Sequence, residues 1–83
     1  MAPAFSQMPT LGEFIARARA YGYTRQVIRI RELRARLTYL RRGEGQAAKL
    51  VDLPPLRESD RLTRAAGESL CQRAGIPKED FGL

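Results

Sequence analysis

Nine arginines fall between Arg17 and Arg42, with Glu32 as the single acid among them, and this run of guanidinium groups has the most chemistry to offer. A guanidinium presents a planar fork of N–H donors that matches the oxygens of phosphate or carboxylate, and its charge does not titrate away. Tyr21, Tyr23 and Tyr39 are interleaved with the run. Their rings either stack on unpaired bases or close the edge of a core with the hydroxyl in water. The charge is also one-sided. Residues 1–49 carry ten basic and three acidic side chains, for +7, whereas residues 50–83 carry five and six, for −1. Such an imbalance points to a nucleic acid, or to an acidic protein docking on the basic half. Solvated faces written in an arginine-rich codon usage would have the same composition.

Other chemistry has few residues to draw on. The chain has no histidine, which removes the commonest general acid and base and a conventional zinc site. Cys71 stands alone, so no internal disulfide forms. Without a base partner, it reads as a small buried apolar residue. No Gly-rich phosphate loop or serine nucleophile motif is present. Glu32 reads as an ion-paired structural carboxylate in preference to a base, and Arg57-Glu58-Ser59-Asp60-Arg61 as the solvated start of a helix. No catalytic constellation is recognisable, Glu32 as a base is the one opening left for catalysis, and neither metal nor cofactor is expected.

At 83 residues the chain fits one domain. Residues 1–9 lack periodicity and read as a loose tail, leaving 10–83 as the compact domain. No run approaches the roughly 18 to 20 apolar residues of a membrane span, and residues 1–9 do not resemble a signal peptide; the expected compartment is the cytoplasm. Thr10 followed by Glu13 predicts a capping box. Leu11, Phe14, Ile15 and Ala18 make a helical stripe and Gly22 a left-handed stop, so the first helix runs from about Leu11 to Tyr21.

Between Tyr23 and Arg42 two periods fit. Val27, Ile28 and Ile30, and then the alternation through Leu33 to Tyr39, suit strands. Val27, Ile30, Leu33, Leu37 and Leu40 also recur at helical spacing, which would give an all-α basic helical bundle. The β-branched cluster and the turn Gly43-Glu44-Gly45 favour two strands, the second forming a hairpin with Ala48 to Leu53. Pro54-Pro55 ends that third strand. A second helix then begins near Ser59 or Thr63, places Leu62, Ala66, Leu70 and Ala74 on one face, and stops at Gly75-Ile76-Pro77. A last short turn presses Phe81 onto the core. The predicted fold is α+β: helix, three-stranded antiparallel sheet, helix. In it Arg25, Val27, Arg29 and Arg31 share one face, and Arg34, Arg36 and Arg42 share a face of the next strand. Together with Tyr39 and Arg41 these arginines form the candidate basic platform.

Phe14, Ile15 and Ala18 leading into Gly22-Tyr23, the strand end Val51-Asp52-Leu53-Pro54, and the closing Leu70-Cys71-Gln72-Arg73-Ala74-Gly75-Ile76 with Glu79-Asp80-Phe81 resemble the HicA-like toxins of toxin-antitoxin systems. Coverage is about Leu11 to Phe81. The resemblance implies a double-stranded-RNA-binding-like fold that binds RNA and cleaves it with a histidine at the start of the second strand. The matching region, Arg34 to Leu37, contains no histidine, the Gly-Ser pair usually preceding it is missing, and the segment from Gly22 to Tyr39 is longer than the family's. What the resemblance then implies is a divergent member that binds RNA, through Arg34 and Arg36 above all, without cutting it. An antitoxin-like acidic partner, a homodimer using the basic face or a sheet edge, and a ribonuclease with a non-histidine site are the other expectations.

Overall fold

A computed structural model of the chain describes residues 8–32 and 35–82. Helix α1 (Leu11–Arg19) starts where the local chemistry demands. The Glu13 N–H donates to Thr10 Oγ1 at 3.1 Å and the Thr10 N–H donates to Glu13 Oε1 at 2.9 Å, so two otherwise unpaired donors are satisfied reciprocally. The next two N–H groups are met from a distance in sequence. Leu11 donates to the Asp60 carbonyl and Gly12 to the Glu58 carbonyl, each at 2.9 Å. A Cβ on Gly12 would stand 3.1 Å from that Glu58 oxygen, which is why glycine belongs there. The segment Arg57 to Arg61, expected as the start of a helix, is instead a brace for α1. Replacing Thr10 by alanine is expected to cost about 1 kcal/mol, read as a drop of several degrees in the thermal melt followed by circular dichroism; an unchanged melt would mean the box carries no stability.

Regular α geometry ends at Arg19, two residues before the expected Tyr21, because the chain tightens toward the left-handed Gly22 (φ 91°). There the Tyr23 N–H reaches back to the Ala18 carbonyl at 3.2 Å and the Gly22 N–H to Arg19 at 3.0 Å, a glycine-terminated cap with Ala18 and Tyr23 buried beneath it.

From there the chain runs as strands, which overturns the all-α alternative. β1 (Thr24–Ile30), β2 (Ala35–Arg42) and β3 (Lys49–Asp52) pair antiparallel in the order β1-β2-β3. Of Val27, Leu37 and Leu40, which a helix would have aligned on one face, only Leu40 is buried. β3 reaches no further than Tyr39–Arg42 of β2. Residues 27–30 and 35–38 therefore project as a two-stranded ribbon, with one extra bond from the Leu53 N–H to the Thr38 carbonyl at 3.0 Å.

Helix α2 (Arg64–Ala74) is capped by Thr63, whose Oγ1 accepts from the Ala66 N–H at 3.1 Å; of the two expected caps, Ser59 is not used. Gly75 (φ 70°) closes it, the Ile76 N–H donates to the Cys71 carbonyl at 3.0 Å, and Ile76 is buried. Both helices lie on one side of the sheet, with Leu40 and Val51 beneath them, and Phe81 stacks on Phe14 with centroids 5.4 Å apart. Pro9 is buried and accepts from the Leu62 N–H at 2.9 Å, while Arg61 Nη1 donates to the Met8 carbonyl at 2.7 Å. Met8 and Pro9, expected in the tail, thus belong to the fold. The extents are 45 × 27 × 18 Å, and among the described residues no helix is long and apolar enough to cross a membrane.

Candidate nucleic-acid interface

Side chains alternate along a strand and directly paired residues share a face, so the register assigns every arginine to one side of the sheet. Leu40 and Val51 are paired and buried under the helices. The helix side therefore also carries Arg25, which pairs with Leu40, then Val27 opposite Thr38, and Arg29 opposite Arg36. Arg42, opposite Lys49, closes the other end. The far side carries Thr24, Gln26, Ile28 and Ile30 of β1, Leu37, Tyr39 and Arg41 of β2, and Leu50 and Asp52 of β3.

The expected single platform is thus divided. Arg25, Arg29, Arg36 and Arg42 come together on the helix side, as the alternation within each strand predicts. Tyr39 and Arg41 face the opposite way. Arg31 is exposed in the turn beyond β1 and shares no strand face. Arg34 lies outside the described residues. The tyrosines separate as well: Tyr23 is 1% exposed and its hydroxyl donates to the Ala74 carbonyl at 2.7 Å, so it cannot stack on a base. Tyr21 is half-buried and donates to the Asp80 carboxylate, a bond that pushes its phenol pKa up. Only Tyr39 remains available, on the side away from the arginine group.

Within that group the charges are unequal in freedom. Arg25 Nη1 lies 3.6 Å from Glu58 Oε1. The Arg42 guanidinium sits over the Tyr23 ring, 5.0 Å from its centroid, in cation–π contact. Lys49 brings its ammonium to the end of α2, 3.6 Å from where a Cβ on Gly75 would stand, where a cation offsets the helix dipole. These three serve the fold. Arg29 and Arg36, out on the ribbon, are exposed, sit directly across from each other, and have no ion pair among the described residues. Like charges in that position destabilise a sheet. Their Cβ atoms are about 4.5–5.5 Å apart by strand geometry, which lets two guanidinium forks close on one tetrahedral anion.

Glu32, expected in an ion pair, is exposed in the turn and makes none with a described residue. Cys71 is buried, and desolvation, followed by the charges of Asp80, Glu68 and Glu79, pushes its thiol pKa up, away from the reactive thiolate. Among the described residues no cluster of three His, Cys, Asp or Glu could hold a metal. The pairing of Arg29 with Arg36 was not visible in the sequence, where Arg34 and Arg36 alternate on one strand; register is the missing signal. No protein-family model, no curated protein and no solved structure matches the chain, and the chemistry of this surface is argued from its own residues.

Proposed function

We propose that the chain binds RNA through the projecting ribbon, with Arg29 and Arg36 closing on backbone phosphate, and that it does so without cleaving it. The observation that carries this reading is the pair itself: two exposed guanidinium groups directly opposite one another on a narrow arm, with no internal counterion among the described residues. An anion between them turns a repulsive contact into charge-assisted hydrogen bonds. The uneven charge of the chain places +7 in residues 1–49 and draws a polyanion toward the same half. The order helix, three strands, helix is also what a divergent relative of the HicA-like toxins would have. Binding without cutting is favoured because the histidine that does the cutting in those toxins has no counterpart here.

Binding to a short RNA is expected to weaken steeply with salt, because each neutralised phosphate releases condensed counterions. A log–log slope of about −2 or steeper is the expected result, from at least two to three phosphates at roughly −0.7 to −0.9 each. Affinity should be flat from about pH 5 to pH 8, since arginine keeps its charge across that range and no histidine is present to titrate. The measurement is fluorescence anisotropy across a salt series and a pH series. A salt-independent signal would remove the reading, and equal capture of an acidic polypeptide would transfer the surface to a protein partner.

A further inference from the structure

We propose that the face of the sheet turned away from the helices is a self-association surface, covered in solution by the same face of a second copy. Its centre is apolar: Ile28 is 46% exposed and Leu37, directly opposite it, 54%. Ile30 and Tyr39 flank them half-buried, and Leu50 on β3 is 60% exposed. Both helices lie on the other side of the sheet, so neither of them covers this face. A two-stranded ribbon is marginal in water without a packed face.

The charge distribution selects the occupant. Every ribbon arginine assigned to a strand face points to the helix side, and among the described strand residues the far side holds one cation, Arg41, and one anion, Asp52. A polyanion meets no net positive charge there. A second copy meets none either, and brings an Asp52 for Arg41 and an Arg41 for Asp52, the self-complementarity that an isologous two-fold contact requires. Pairing through the free edge of β1 is the competing geometry. Antiparallel pairing centred on Val27 would set Arg25 of one copy against Arg29 of the other, like charges opposed, so the edge is guarded while the face is open.

The size sets the strength. Strands of seven and eight residues at about 3.3 Å per residue, two to three of them about 4.8 Å apart, project roughly 300 Å². That is comparable to the largest functional patches on monomers and below the about 800 Å² per partner of a standard interface. The dimer is therefore weak and concentration-dependent. Stacked face to face about 10 Å apart, the two sheets turn their Arg29 and Arg36 pairs outward on opposite sides.

Analytical ultracentrifugation from about 1 μM to about 1 mM, the range of dissociation constants open to a weak contact, tests the proposal. The expected result is a shift from monomer to dimer that survives added salt, because the contact is apolar. Leu37→Glu should leave the protein monomeric throughout, with an unchanged far-UV spectrum. Ile28→Thr, which keeps the β-branch, should weaken dimerisation at least about tenfold, some 1.4 kcal/mol. Arg29→Glu with Arg36→Glu should leave dimerisation intact while lowering RNA affinity, so the two readings fail separately. A wild-type chain monomeric at every concentration, or a dimer that persists in Leu37→Glu, overturns the proposal.

Discussion

Changing Arg29 and Arg36 together to glutamate is expected to lower affinity for RNA by about 100-fold or more, since each charge-assisted contact is worth about 1.5–3 kcal/mol and both reverse sign. The salt slope should flatten by about 1, for the one phosphate that the pair no longer neutralises. Both side chains are exposed, so the folded core should be untouched. The single change Arg29→Glu makes a sharper test. It replaces a repulsive cross-strand pair by an attractive one, worth roughly 0.2–1 kcal/mol, so the melt should hold or rise slightly while binding falls. A ribbon arginine whose only task was to guard a sheet edge would show no loss of affinity. Arg42→Gln is the control: its guanidinium lies over Tyr23, and its removal should affect stability more than binding.

Phe14→Ala is expected to cost about 3–5 kcal/mol, the largest stability effect of any substitution considered. Phe14 is 0% exposed, stacks on Phe81, and stands in the buried cluster with Leu11, Ile15, Leu40, Val51 and Leu70. Truncating it leaves a cavity that α1 cannot close, because its N-terminus is tied to Glu58 and Asp60 and its end to Gly22. A chain of this length has a total stability of only about 4–12 kcal/mol. The variant should therefore be marginally folded, its melting temperature lowered by at least about 12 °C. Urea unfolding followed by circular dichroism checks the figure. A loss under about 1 kcal/mol, the size of a surface effect, would contradict the packing described. Leu37→Ala, more than half exposed on the ribbon, should by contrast scarcely move the melt.

The two expectations separate the molecule into parts with different tasks. One end is a closed core in which Tyr23, Arg42, Lys49 and the brace from residues 57–61 are all engaged internally. The other end is an arm whose Arg29 and Arg36 have no ion pair among the described residues on one face, with exposed Ile28 and Leu37 on the opposite one. Arms of this kind are costly for a small domain unless something binds them, and the two faces call for different occupants: an anion for the first, an apolar and charge-neutral surface for the second.

Much of this was written locally. The start of α1 at Thr10, its stop at Gly22, the end of α2 at Gly75 with Ile76 folded beneath it, and the return of Phe81 to the core follow from residues within four or five positions of each other. Caps and turns are satisfied by neighbours in sequence, so the sequence suffices to place them. The period within each strand was readable for the same reason, and it correctly grouped Arg25 with Arg29 and Arg36 with Arg42. What only the tertiary structure decided is long-range. In residues 24–42 the β-branched cluster and the turn at 43–45 already favoured strands, but the competing helical period was set aside only by burial, since of Val27, Leu37 and Leu40 only Leu40 found a place under the helices. The partner of Arg36 turned on register, and thus on how β1 and β2 are joined. Which faces stay open turned on the shortness of β3 and on both helices choosing the same side of the sheet, and such choices are made by packing across the whole domain and leave no mark on any short stretch of residues.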